Sequence, residues 1–168
     1  EPPDGFLPVI GLQATGRPGD PAPPGSTSVL RLMDELTPPV RAAVSEVIVD
    51  TLSGEHRILR VDILHDCGDS LNPAVDLGQV EGGYVQGMGW LTSEELWWSP
   101  AGELGTHAPA TYKIPTSSDL APDFRVTLRQ NSANREDTIY RSKAVGEPPL
   151  MLAISVHSAL CQAIAAAN

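Results

Sequence analysis

Asp66-Cys67-Gly68-Asp69-Ser70-Leu71-Asn72-Pro73-Ala74-Val75-Asp76-Leu77-Gly78-Gln79-Val80-Glu81-Gly82-Gly83 joins a β-rich region to a glycine-studded one, and its middle is a helix start signal. Ser70 or Asn72 can serve as N-cap. Pro73 fits the first turn, where its missing N–H costs nothing. These signals predict a helix from Pro73 to about Trp90. Gly78, Gly82, Gly83, Gly87 and Gly89 lie inside it. Each costs about 1 kcal/mol relative to Ala, so the helix must be held from outside. With the turn of an α-helix, Gln79, Gly82, Gly83 and Gln86 share one face. That face is either a glycine floor for a ligand, flanked by two carboxamides, or a seat for another helix.

Upstream, Val44, Glu46, Ile48 and Asp50 alternate with Ser45, Val47, Val49 and Thr51. Leu52-Ser53-Gly54-Glu55 reads as a turn and Arg57 to Leu64 is again β-rich, which predicts a hairpin. Residues 1 to about 40 crowd prolines and glycines together, as in Arg17-Pro18-Gly19-Asp20-Pro21-Ala22-Pro23-Pro24-Gly25. That composition predicts loop or disorder, with a short helix possible over Ser28 to Leu36. Downstream, Glu95 to Trp98, Thr106 to Ile114 and Phe124 to Arg129 are predicted strands. Asn131 to Asp137 reads as polar loop and Thr138 to Arg141 as extended. The expected fold class is α+β: a mostly antiparallel sheet, one Gly-rich helix and one C-terminal helix.

Near the C-terminus, Ser142-Lys143-Ala144-Val145-Gly146-Glu147-Pro148-Pro149-Leu150 places a single glutamate between a glycine and two prolines. Pro148 is expected to push Glu147 into extended backbone and Pro149 to prolong the restraint. Leu150, Ile154, His157, Cys161 and Ile164 then recur at helical spacing, so Glu147 stands at a helix N-terminus. There the helix dipole favours its ionised form. A carboxylate so restrained can be a general base, or simply a helix cap.

The net charge of −10 and a pI near 4.6 argue against a nucleic-acid partner, which needs clustered basic surface. The sequence shows no apolar run near the length of a membrane span and no basic-then-apolar leader. A soluble, cytoplasmic chain without a membrane partner is expected. Cys67 and Cys161 have no C-x-x-C spacing, and His56, His65, His107 and His157 are well separated, so no metal-ligand set is predicted. His65-Asp66 could be a base and its orienter, but adjacent strand residues point to opposite faces. Nucleotide-phosphate loops and a serine-nucleophile elbow are missing; Gly87-Met88-Gly89 lacks the third glycine of a dinucleotide fingerprint. The chain starts at Glu1 and its last helix runs to the final residues, as expected of a piece of a longer protein.

Two stretches, Asp66 to Gly83 and Arg141-Ser142-Lys143-Ala144-Val145-Gly146-Glu147-Pro148-Pro149, resemble the C-terminal part of the molybdenum-binding subunit of the xanthine dehydrogenase family. Between them, Gln86-Gly87-Met88-Gly89-Trp90-Leu91-Thr92-Ser93-Glu94-Glu95-Leu96 and Thr111-Tyr112-Lys113-Ile114-Pro115 resemble it in order and spacing. The resemblance covers about residues 42–168, leaving residues 1–41 as an atypical Pro/Gly-rich segment. Cys67 stands where that family more often has an aliphatic residue.

The resemblance implies that 42–168 is the C-terminal lobe of a larger molybdopterin-binding domain in a molybdenum hydroxylase. Such an enzyme adds oxygen to an electron-poor carbon of a purine, hypoxanthine or xanthine. By motif, Glu147 would be the general base, Gln79 would hydrogen-bond the molybdopterin cofactor, and the backbone at Val145 and Gly146 would approach it. The implied partners are the remainder of the molybdenum-binding subunit and an iron-sulfur/FAD subunit. The piece alone would not turn over. Other readings are a noncatalytic remnant or scaffold, and an unrelated binding module whose Gly-rich helix seats another helix.

Overall fold

The computed structural model describes residues 6–15 as backbone and residues 41–167 in full. Strands β1 (Phe6–Thr15), β2 (Arg41–Asp50) and β3 (His56–His65) and helix α1 (Pro73–Thr92) come first. Strand β4 (Asp123–Leu128) and helices α2 (Pro148–Leu152) and α3 (Ile154–Ala167) follow. The sheet runs β1-β2-β3-β4. β1 and β2 pair antiparallel, as do β2 and β3, whereas β4 joins β3 in parallel. A parallel neighbour needs a long crossover, and α1 lies within it.

The predicted hairpin is β2–β3. Asp50 Oδ1 accepts the amides of Leu52 (2.8 Å) and Ser53 (3.3 Å), and Gly54 takes a left-handed φ of 77° to close the turn. Asn72 caps α1, its side chain accepting the amide of Val75 at 3.4 Å. Ala43, Val47, Val61 and Ile63 from the sheet meet Val80, Tyr84 and Met88 of α1, with Leu152 and Val156 behind them. Burying such side chains supplies roughly 1.5–3 kcal/mol each. Inside this apolar layer Ser45 Oγ bonds Tyr84 Oη (2.5 Å) and Ser155 Oγ (2.7 Å), tying β2, α1 and α3 together without stranding a buried hydroxyl. The ring of Phe124 meets Tyr84 edge-on, centroids 5.5 Å apart, and so fastens β4 to α1.

Several expectations are corrected. Phe6–Thr15 is a strand rather than loop. It is an edge strand among the described residues, so Pro8 need not donate to a neighbour on both sides. The helix expected over Ser28 to Leu36 lies outside the described residues. Glu95 to Trp98 and Thr106 to Ile114 are not strands; only a bridge between Trp98 and Leu104 forms. Ser99 closes the intervening turn on Glu103, and Thr111 bonds back to Ala108, so the segment satisfies itself locally instead of joining the sheet. Ile139–Arg141, read as extended, is a 3-10 turn, with Tyr140 and Arg141 at φ 50° and 57°.

The C-terminal helix is two helices meeting at Ala153. Its 20 residues Pro148–Ala167, with a mean hydropathy of 1.8 over the most apolar 18, are long and apolar enough to cross a membrane by length and composition, contrary to the sequence reading. Alanines scattered through the run hide its hydropathy from the eye. In this fold Ser155, Val156, Ala159 and Ala163 are buried, and α3 packs on β1 and β2, as a core-facing helix does.

Candidate functional site

The strap from Ser142 to Glu147 lies against the end of β3 and the start of α1. Gly68, at φ 69°, bridges to Ser142, and an added Cβ there would run into the Arg141 carbonyl. The amide of Lys143 donates to the Cys67 carbonyl (2.8 Å), and that of Asp69 to the Arg141 carbonyl (3.2 Å). Lys143 Nζ meets Asp66 Oδ2 at 2.6 Å, and Arg41 Nη2 donates to the Ala144 carbonyl at 3.0 Å. Asp66 also accepts the Gly68 amide at 3.0 Å. Burial opposes ionisation of Asp66, but these donors, with Ser132, outweigh it and hold its pKa below the ordinary carboxylate value.

His65 is buried beside this cluster and its pKa falls to about 4, chiefly through desolvation and then through the positive charge of Arg41. The Ala144 carbonyl and Asp66 pull the other way. Among the described residues neither ring nitrogen completes a hydrogen bond, with Asp66 or with any other group, so His65 and Asp66 are not joined as a base and its orienter. Sequence reasoning passed over Arg41, Asp66 and Lys143 as site residues. The one available signal was an acid and a base near the starts of the two quoted stretches, with no spacing rule to pair them.

The glycine face of α1 divides between the two uses open to it. A Cβ on Gly83 would stand 3.0 Å from Pro149 Cβ, and one on Gly87 would collide with the Leu150 carbonyl, so these two glycines seat α2. Among the described residues nothing lies within 4 Å of the corresponding positions on Gly78 and Gly82. Gln79 is exposed between them, its Oε1 3.8 Å from where a Cβ on Gly146 would be. The structure thus brings Gln79 together with Gly146, and Val145 and Glu147 adjoin Gly146 in the chain. The Val145 side chain packs on the core. Among the described residues, the amides of Val145, Gly146 and Glu147 make no hydrogen bond.

Glu147 is exposed and occupies the N-cap position of α2 without a side-chain capping bond. Its backbone is αR (φ −95°, ψ −39°), not the extended form expected before proline. Packing of Pro149 on Gly83 offsets the steric preference, which amounts to a bias rather than a prohibition.

An exposed carboxamide, three adjoining amides without partners and a carboxylate are donors and acceptors suited to the edge of a pterin. The residues present therefore fit the cofactor implied by the sequence. A family model described as "Molybdopterin cofactor-binding domain" matches residues 21–121, more than half of the chain. The chain belongs to this family. The molybdopterin cofactor-binding domain match starts ahead of residue 42, where the sequence resemblance begins, and it contains Gln79 but stops before the strap.

Among curated relatives, this molybdopterin cofactor-binding domain is 54% identical over 126 residues to "Xanthine dehydrogenase/oxidase" of Felis catus, which covers 75% of the chain and 9% of the relative. It is 53% identical to "Xanthine dehydrogenase" of Dictyostelium discoideum (76% and 9%). It is 54% identical to "Probable aldehyde oxidase 2" of Oryza sativa subsp. japonica (76% and 9%). The chain therefore spans about a tenth of the length of these relatives. Quinoline 2-oxidoreductase of Pseudomonas putida 86 superposes with a TM-score of 0.69 at 26% identity, covering 76% of this chain and 16% of that one. The Cu,Mo-CO dehydrogenase, at 0.67 and 22% identity over 75% of this chain and 16% of its own, shares the fold.

Proposed function

We propose that the chain is part of a xanthine dehydrogenase that hydroxylates hypoxanthine and xanthine at a molybdenum centre, with Glu147 as general base. The carrying observation is that Glu147 stands exposed, without a capping bond, beside the juxtaposed Gln79 and Gly146. Gln79 would hold the cofactor by its carboxamide, and the backbone of Val145 and Gly146 would brace it. When bound, the molybdenum-molybdopterin group supplies the oxygen that is transferred and accepts the substrate's electrons. A carboxylate oxygen of Glu147 takes the proton lost as the new carbon–oxygen bond forms. Electrons would leave through iron-sulfur clusters and FAD on other domains or subunits, and the remaining lobe of the molybdenum-binding subunit would close the cofactor cage. The rice relative's printed name favours a second reading of the same site, with an aldehyde as substrate.

Glu147→Ala in the complete enzyme tests the base. Single-turnover reduction of the molybdenum centre by xanthine, corrected for metal content, should fall about 10²- to 10⁴-fold. Gln79→Ala should instead lower molybdenum occupancy while leaving the rate per loaded site closer to wild type. A Glu147→Ala loss under about tenfold, far below a base's usual contribution, would remove Glu147 from that role. Faster reduction by an aldehyde than by xanthine in the unaltered enzyme would favour the second reading.

A further inference from the structure

We propose that Asp66 and Lys143 form a positioning clip that sets the place of the Val145–Gly146–Glu147 strap; its catalytic consequence rests on the reading of Glu147 as base. The strap hangs between two anchors. At its far end Pro149 and Leu150 sit on Gly83 and Gly87 of α1. At its near end Lys143 Nζ lies 2.6 Å from Asp66 Oδ2, with the Lys143 side chain 9% exposed and that of Asp66 fully buried. Between the anchors the amides of Val145, Gly146 and Glu147 have no hydrogen-bond partner among the described residues. Nothing within the strap therefore fixes its height above Gln79.

The near anchor is built to resist sliding. Asp66 is itself held at Oδ1 by the Gly68 amide at 3.0 Å, and Arg129 Nη1 stands 4.0 Å from Oδ2, the oxygen that Lys143 meets. The main chain of Lys143 is tied separately to the Cys67 carbonyl, and Arg41 grips the Ala144 carbonyl. A buried charge pair is weak support for overall stability, but it is unforgiving of displacement, because moving either charge away forfeits the close contact that offsets the burial of both. Lys143 and Asp66 are positioning residues, acting through Glu147.

The complete enzyme, molybdenum-loaded, is compared with Lys143→Met, Lys143→Arg and the double variant Asp66→Asn/Lys143→Met. The double variant removes both charges of the pair together, so neither partner is left charged alone, which guards against a simple failure to fold. The amides at positions 143 and 69, which close the clip, should exchange at least about tenfold faster in the Met and double variants, while amides of β2 and β3 keep wild-type rates. Turnover per molybdenum should drop about 10- to 100-fold with KM little changed, as expected when a reacting group is misplaced. Lys143→Arg should restore most of both.

Unchanged exchange at 143 and 69 in both charge-removing variants would overturn the clip. So would loosening spread evenly through the sheet, which is the mark of a merely structural pair. Local loosening with undiminished turnover would support the clip and count against Glu147 as the base.

Discussion

His65 is fully buried with a pKa lowered to about 4, so it is neutral in the folded chain over most of the range where an ordinary histidine is charged. The unfolded chain takes up a proton near 6.5, the folded chain only near 4. Stability is complete above the unfolded value and falls as the pH drops through this window, by up to about 3 kcal/mol at its lower end. Asp66, whose pKa is also depressed, adds its own loss only below the ordinary carboxylate value of 3.8. The urea midpoint should therefore decline between pH 6.5 and 4.5, and His65→Gln should flatten most of that decline. An equally steep decline in the variant would mean that His65 is not the group responsible.

The glycines of α1 differ in what surrounds them, and substitution can read this out. Gly87→Ala would drive a methyl into the Leu150 carbonyl and the Ala153 side chain, lifting α2 from its seat. The expected cost is about 1–3 kcal/mol, typical of overpacking. Gly82→Ala meets nothing within 4 Å among the described residues and should stabilise by about 0.5–1 kcal/mol, since alanine loses less backbone freedom in a helix. Chemical denaturation of the three chains measures both. Similar effects at the two positions would show that α2 does not rest on Gly87. α2 has only five residues and would be marginal alone, so this seat keeps the Glu147 end of the strap in place.

At the scale of the whole chain, Gln79, Gly146 and Glu147 are all exposed, so a cofactor against them would be covered from one side only. Trp90, Leu96, Trp97 and Trp98 are large apolar side chains that also remain exposed. Relatives that run to about ten times the aligned length have ample further chain to cover such a surface. Expressed by itself, the chain should carry far less than one molybdenum per molecule, because a site that buries little of its ligand holds it weakly. Elemental analysis after gentle purification checks this. About one metal per chain would show that this chain suffices to retain the cofactor.

Local signals in the sequence determined the β2–β3 hairpin and the start of α1, left its cap open between Ser70 and Asn72, and placed Glu147 at a helix N-terminus but with extended rather than αR backbone. Each depends on residues within a turn or two of one another, where periodicity, capping and proline sterics act directly. Only the tertiary structure decided the rest. Phe6–Thr15 becomes a strand because β2 offers an edge, and β4 runs parallel because α1 carries the chain across. Residues 106–114 fail as a strand for want of a neighbour in the sheet. The proposed Gln79–Glu147 site was legible as two separate motifs. Its anchor was not: Asp66 and Lys143 are 77 residues apart, and no spacing rule spans that distance. The pair has meaning only once Gly68 has let the strap come close enough for burial to make their charges depend on each other.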